Sequence, residues 1–180
     1  MTTATIANFI LSSFTLLGHA VIVALLFALL QSENKYSVCL LKFFNQNALL
    51  FAFIVAILST GGSLFYSDVL GYDPCKLCWL QRIFMYPQVI LLGLAWWKKD
   101  RGVAFYSIPL AIIGGLIALY HYFSQLGWLP AACAVVGYSV SCSQKFVLQF
   151  GYITIPLMAV TAFVLMILFL AIGKKTDSAN

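Results

Sequence analysis

Asp73-Pro74-Cys75-Lys76-Leu77-Cys78-Trp79-Leu80-Gln81-Arg82 stands between two long apolar runs, 46–66 and 83–97, and carries most of the reactive side chains of the chain. Two cysteines two residues apart can form a tight, strained disulfide that accepts and passes on electron pairs, and the reduced pair is useful where one sulfur is held as a thiolate. The local sequence offers three ways to do so. Asp73 as N-cap and Pro74 as first helical residue predict a helix start here, which puts Cys75 in the first turn at the positive end of the helix dipole. Arg82 follows Cys78 by four residues, one turn deeper on the same face. Lys76 is near but exposed. A cation at this end of a membrane helix also has a plainer reading, as a side chain reaching for the headgroups.

Outward from this stretch, composition sets the class. The 180 residues are 63% hydrophobic and 8% charged, with mean hydropathy +0.99, far from soluble domains. The expectation is an all-α polytopic membrane helix bundle. Five spans are predicted: 6–30, 46–66, 83–97 (lengthened by the helix from Pro74), 104–123 and 151–172, each near the length needed to cross hydrocarbon. The net charge of +5 does not speak for nucleic acid, because the basic residues cluster at span ends. Lys35 and Lys42, Lys98-Lys99 with Arg101, and Lys174-Lys175 all fall on one side of a five-span chain, the cytoplasmic side by the positive-inside rule. Loops 67–82 and 124–150 then face outward with four of the five cysteines, where disulfides are expected. Cys39 is the odd one, expected to be a free thiol. The first run has no basic residue before it and exceeds a signal-peptide core, so an uncleaved helix is expected. His19 within it is expected to hydrogen-bond another helix.

The second pair, Cys133 and Cys142, encloses eight residues including Gly137, Ser139 and Ser141, flexible enough to close a disulfide. From residues alone this pair is open between a staple of loop ends and a redox-active couple. Upstream, Trp128 is placed as an interfacial anchor.

The run Cys-x-Leu-Cys-x-x-Gln-Arg at the end of a membrane helix, followed by a second cysteine pair before the last span, resembles the disulfide bond formation protein B family over roughly residues 46–172. The resemblance implies a four-helix redox core at 46–172, with an extra N-terminal transmembrane helix and cytoplasmic loop at 1–45 and a cytoplasmic tail at 173–180. It implies two redox-active disulfides, Cys75–Cys78 and Cys133–Cys142, in the bacterial cytoplasmic membrane. A reduced thioredoxin-like partner would attack the loop pair, the loop thiols would reduce the motif, and Cys78 would pass electrons to a quinone (ubiquinone or menaquinone). Arg82, Gln81, Trp79 and His121 are the residues expected to hold the quinone, His121 because it lies 12 residues before Cys133 near the outer end of the fourth span. No metal is expected. The competing readings are a bundle with structural disulfides only and a cysteine-based metal site. Haem attachment requires His where Trp79 stands. The vitamin K epoxide reductase family runs similar chemistry with its loop cysteines first, the reverse of the order here.

Overall fold

The computed structural model describes residues 3–31, 34–130, 141–142 and 144–175. Six helices make up its framework: α1 (Thr3–Leu30), α2 (Lys35–Gln46), α3 (Ala48–Leu64), α4 (Lys76–Lys98), α5 (Ala104–Gln125) and α6 (Ile155–Lys175). A π-turn, Phe65–Val69, extends α3. All but α2 are long and apolar enough to cross a membrane. The composition therefore did its work: a chain with so few charges satisfies its backbone inside helices.

Helices α3 to α6 form the core bundle, with α5 against α6, α3 against both α4 and α6, and α4 against α5. Small residues let these backbones approach. Ala52 and Ala56 on α3 and Ala111 and Ala118 on α5 are fully buried. Gly114 lies so near Phe163 that an added Cβ would run into its ring and stand 2.9 Å from Phe84 Cβ. Buried Gln88 donates to the carbonyl of Ser107 (2.9 Å), a polar tie between α4 and α5. At the end of the bundle away from the cysteine motif, Arg101 Nη1 donates to Asn45 Oδ1 and to the carbonyl of Gly173, each at 3.2 Å. A cation thus meets the carbonyl end of α6, where the helix dipole favours it.

Two boundaries differ from the sequence reading. The stretch taken as a loop between the first two spans holds α2, started by Asn34, whose side chain accepts from the Tyr36 N–H (3.2 Å). Its Phe43 and Phe44 join Phe51 and Phe169 in a ring cluster with centroids 5.1 to 5.9 Å apart, so its stability comes from packing, not from propensity. The last span begins at Ile155, four residues later than expected. Phe150 and Gly151 have φ of 52° and 80°, and Gln149 pairs with Ile153 in an isolated bridge; this left-handed turn cannot continue into a helix.

α1 packs along α6 and against α2. Gly18 permits the approach: a Cβ there would stand 2.9 Å from Thr161 Cγ2. His19 Nε2 donates to Thr161 Oγ1 (2.9 Å), since that hydroxyl spends its own hydrogen on the Leu157 carbonyl (2.9 Å). Tyr152 donates to His19 Nδ1 (3.4 Å) and stacks on its ring. The helix-to-helix bond expected of His19 is present.

Candidate functional site

The cysteine motif caps a helix, two residues later than the sequence suggested. The expected N-cap at Asp73 is corrected to Cys75, which has extended backbone (φ −70°, ψ 171°) and whose sulfur accepts the Cys78 N–H at 3.4 Å. A sulfur in the cap position faces the orphan N–H groups that a serine or aspartate would otherwise satisfy. Asp73 and Pro74 belong instead to the irregular lead-in after Gly71, whose φ is 68°.

Cys75 and Cys78 are both thiols with sulfurs 3.0 Å apart. The hydrogen bond from Cys78 is the largest influence on Cys75 and holds its pKa down to about 4, with burial opposing and His121 adding to the lowering. A thiolate at the N-terminus of a helix, with a thiol and an imidazole beside it, is the stabilised form.

His121 reaches this site from α5 and is 2% exposed. Its Nδ1 accepts from Gln81 Nε2 (3.0 Å), which leaves Nε2 protonated. That Nε2–H donates to the Cys142 carbonyl (3.1 Å) and lies 3.7 Å from Cys75 Sγ. Cys142 itself is disulfide-bonded and 1% exposed; Cys133, expected as its partner, lies outside the described residues. The sulfurs of Cys75 and Cys142 and a His121 ring nitrogen all fall within 4.8 Å of one another. Such a trio resembles a metal ligand set, but a sulfur in a disulfide carries no thiolate to offer. Only reduction would free it.

Two cavities meet at Cys78. The small one is lined by Cys75, Cys78, His121, Gln125 and Phe146, among others. The large one, about 570 Å³, holds Cys78, Gln81 and Arg82 at one end and Phe43, Phe44 and Phe169 at the other. A volume in this range suits a single organic ligand. Arg82 is fastened at its rim: Nε donates to Ser63 Oγ (3.0 Å) and Nη2 to the Ser63 carbonyl (3.1 Å). Its guanidinium lies 5.1 Å from the Trp79 ring and 5.9 Å from the Tyr86 ring.

The four residues expected to hold a quinone are thus divided. Arg82 and Gln81 line the large cavity. His121 lines only the small one, on the sulfur side. Trp79 is 55% exposed and lines neither, supporting Arg82 from outside. Sequence reasoning missed Ser63, which holds Arg82, and Tyr72, whose ring is sandwiched by Tyr66 and Phe146 (centroids 5.8 and 4.9 Å) beside the motif. An aromatic just before a cap was the available signal for Tyr72; a serine on a distant helix had none.

A bundle of membrane helices arranged around a helix-capping cysteine pair and a nearby disulfide is a membrane protein of thiol–disulfide chemistry. The chain belongs to the disulfide bond formation protein DsbB family, whose match spans residues 45–173. It is 41% identical over 138 residues to disulfide bond formation protein C of Bacillus subtilis (strain 168), covering 74% of this chain and 99% of that protein. It is 45% identical over 121 residues to a probable disulfide formation protein C of Bacillus cereus, covering 67% and 86%. A probable disulfide formation protein of Metapseudomonas resinovorans is 36% identical over 132 residues, 72% of this chain and 90% of that one. No solved structure matches.

Proposed function

We propose that this membrane disulfide-forming protein reoxidises a thioredoxin-like partner and passes the electrons to a quinone, with its cysteine pairs on the outer face of the bacterial cytoplasmic membrane. The observation that carries the reading is the line of sulfurs: Cys142 beside Cys75, Cys75 beside Cys78, and Cys78 at the end of an apolar chamber with Arg82. The basic residues Lys35, Lys42, Lys98, Lys99, Arg101 and Lys174 support the orientation.

A partner thiolate attacks Cys133, breaking Cys133–Cys142 and releasing Cys142 as a thiolate. Cys142 attacks Cys75 of the oxidised motif, forming Cys75–Cys142 and expelling Cys78 as a thiolate towards the chamber. The partner's second thiol displaces Cys133, leaving the partner oxidised; Cys133 then attacks Cys142 and restores the loop disulfide. The motif is left holding two electrons as a dithiol. The low pKa of Cys75 makes it a good leaving group in that last exchange and stabilises the reduced motif, so that the motif's disulfide is a strong oxidant.

The chamber fits a quinone: it is apolar, of suitable size, and bounded at the sulfur end by a cation and an amide. Arg82 would hold it through Nη1, which has no hydrogen-bond partner among the described residues, and Gln81 would stand beside the ring. When bound, a quinone supplies a sink for two electrons and two protons. Arg82 would place a cation where negative charge develops as Cys78 is oxidised, and Cys75 is the sulfur with which Cys78 would pair as a disulfide. His121, held by Gln81, keeps its proton on Nε2 at the sulfurs.

The test supplies purified protein in detergent with a reduced thioredoxin-like oxidase and a short-chain quinone, and follows quinone absorbance. Wild type should consume quinone and Cys78→Ser should not. Equal turnover by the two would overturn the assignment. Silence from both, with four thiols holding zinc, would transfer the case to a metal site.

A further inference from the structure

The family match begins at residue 45, so α1 is an addition to the four-helix unit. It does not sit apart from the chemistry. Leu11, Phe14, Thr15, Leu17, Gly18 and Val21 all line the same chamber as Cys78 and Arg82. Its two seams are unlike. Against α6 it is fastened, with Gly18 set close to Thr161 and Leu165 and with the His19–Thr161 and Tyr152–His19 hydrogen bonds. Against α3 the packing is slight at most; Leu11 approaches Gly62 near one end of that seam.

Along the rest of that second seam the chamber is open. Phe14 and Leu17 on α1 are 53% and 61% exposed, and Ile54 and Leu58 on α3 are 40% and 50% exposed, yet all four line it. In a membrane this slot faces acyl chains, because both helices are spans. The chamber is also long. On α6 alone its lining runs from Ile155 to Phe169, about 21 Å at the helical rise. A quinone ring occupies only the Arg82 end, and beyond it the walls carry leucine, valine and phenylalanine.

We propose that α1 is a wall of the quinone chamber, and that the slot between α1 and α3 is the port through which a long polyprenyl tail passes to the bilayer. The proposal rests on the quinone reading above. It makes α1 a selector for tail-bearing quinones: the fastened seam sets the distance from α1 to α6, and the open seam admits the chain sideways while the ring stays at Cys78.

The test uses the full chain in lipid vesicles with two photoreactive quinones, one reactive at the ring and one along a polyprenyl tail. Ring label should fall on α4 around Arg82 and tail label on α1 between Phe14 and Val21, both displaced by excess unlabelled polyprenyl quinone. Ring label on α4 with displaceable tail label confined to α3 and α6 would overturn the wall and leave the quinone reading standing. Displaceable label from neither probe would overturn both. As a second measurement, Leu17→Trp narrows the slot at a position exposed enough to leave folding alone. The ratio of KM for a polyprenyl quinone to KM for a tail-less one should rise about tenfold, the discrimination available to a steric change in an apolar pocket. A ratio equal to wild type would refute the port.

Discussion

Replacing His121 with leucine removes one imidazole from the junction of the two cysteine pairs and leaves its volume nearly filled. Three contacts disappear: Nε2–H to the Cys142 carbonyl, Nε2 to Cys75 Sγ, and Nδ1 to Gln81. The sulfur contact acts on the thiolate of Cys75. A hydrogen bond to a charged group contributes about 1.5–3 kcal/mol, and one pH unit corresponds to about 1.4 kcal/mol, so the pKa of Cys75 should rise by about one to two units from about 4. It should stop short of the ordinary thiol value, because the larger influence, the bond from Cys78, is untouched. The buried Gln81 amide, 7% exposed, loses a partner as well, at a cost of about 1–3 kcal/mol of stability. The assay is thiolate absorbance against pH in a Cys39→Ser background with the motif reduced, together with alkylation of the Cys75 peptide followed by mass spectrometry. An inflection at the wild-type pH would refute the argument that His121 acts on Cys75. The sign extends to stability. A thiol whose folded pKa lies below its unfolded value stabilises the reduced fold fully above the unfolded pKa, and that contribution declines as pH falls towards about 4. At pH 8 this contribution should therefore be larger in the wild-type reduced protein than in the leucine variant by about 1.4 kcal/mol per unit of pKa difference, and the gap should narrow as the pH falls to 5.

Other expected outcomes follow from single contacts. Cys142→Ala should leave Cys133 without a resolving sulfur and trap a thioredoxin-like partner as a mixed disulfide on a diagonal gel; no captured partner would count against its place in the relay. Arg82→Lys loses the two-pronged grip on Ser63 and the Trp79 contact, and the quinone KM should rise about tenfold, as expected for one charged hydrogen bond; an unchanged KM would leave Arg82 as an anchor only. Gly114→Val forces carbon into the Phe163 ring and should cost roughly 1–3 kcal/mol by overpacking, read as a lower unfolding temperature in detergent; an unaltered transition would mean that α5 and α6 can separate at no cost.

The spans were legible because their signal is a sum over twenty residues, and the motif because helix-start chemistry is local. The expected free thiol at Cys39 is free and exposed. What escaped depends on which face of a helix a residue presents to a distant one. His121 was placed at the right depth, but depth does not say whether an imidazole faces the chamber or the sulfurs. Trp79 and Gln81, two residues apart on one helix, point to opposite surroundings, one 55% and the other 7% exposed. Aspartate and proline are the better-known helix starters and point to Asp73 as N-cap, while a cysteine sulfur accepting the Cys78 N–H performs the same task two residues later. α2 reads as a loop because its polar and basic residues interrupt the apolar run, although its phenylalanines fold back onto α3 and α6.

Cys78, Phe146 and Ile155 are shared by both cavities, so the boundary between them is one sulfur, one ring and one branched aliphatic chain. On one side lie the His121 imidazole and the amides of Gln125 and Gln144; on the other, a largely apolar lining with Gln81 and Arg82 close to the sulfur. Such a boundary behaves as insulation. A small thiol from solution that reached the His121 side would still meet Cys75 and Cys78 before any oxidant held in the apolar chamber, and could not short-circuit the pair. In the proposed relay electrons would cross by changing which sulfur is bonded to which, and a bond exchange, unlike a diffusing molecule, leaks nothing when it is idle.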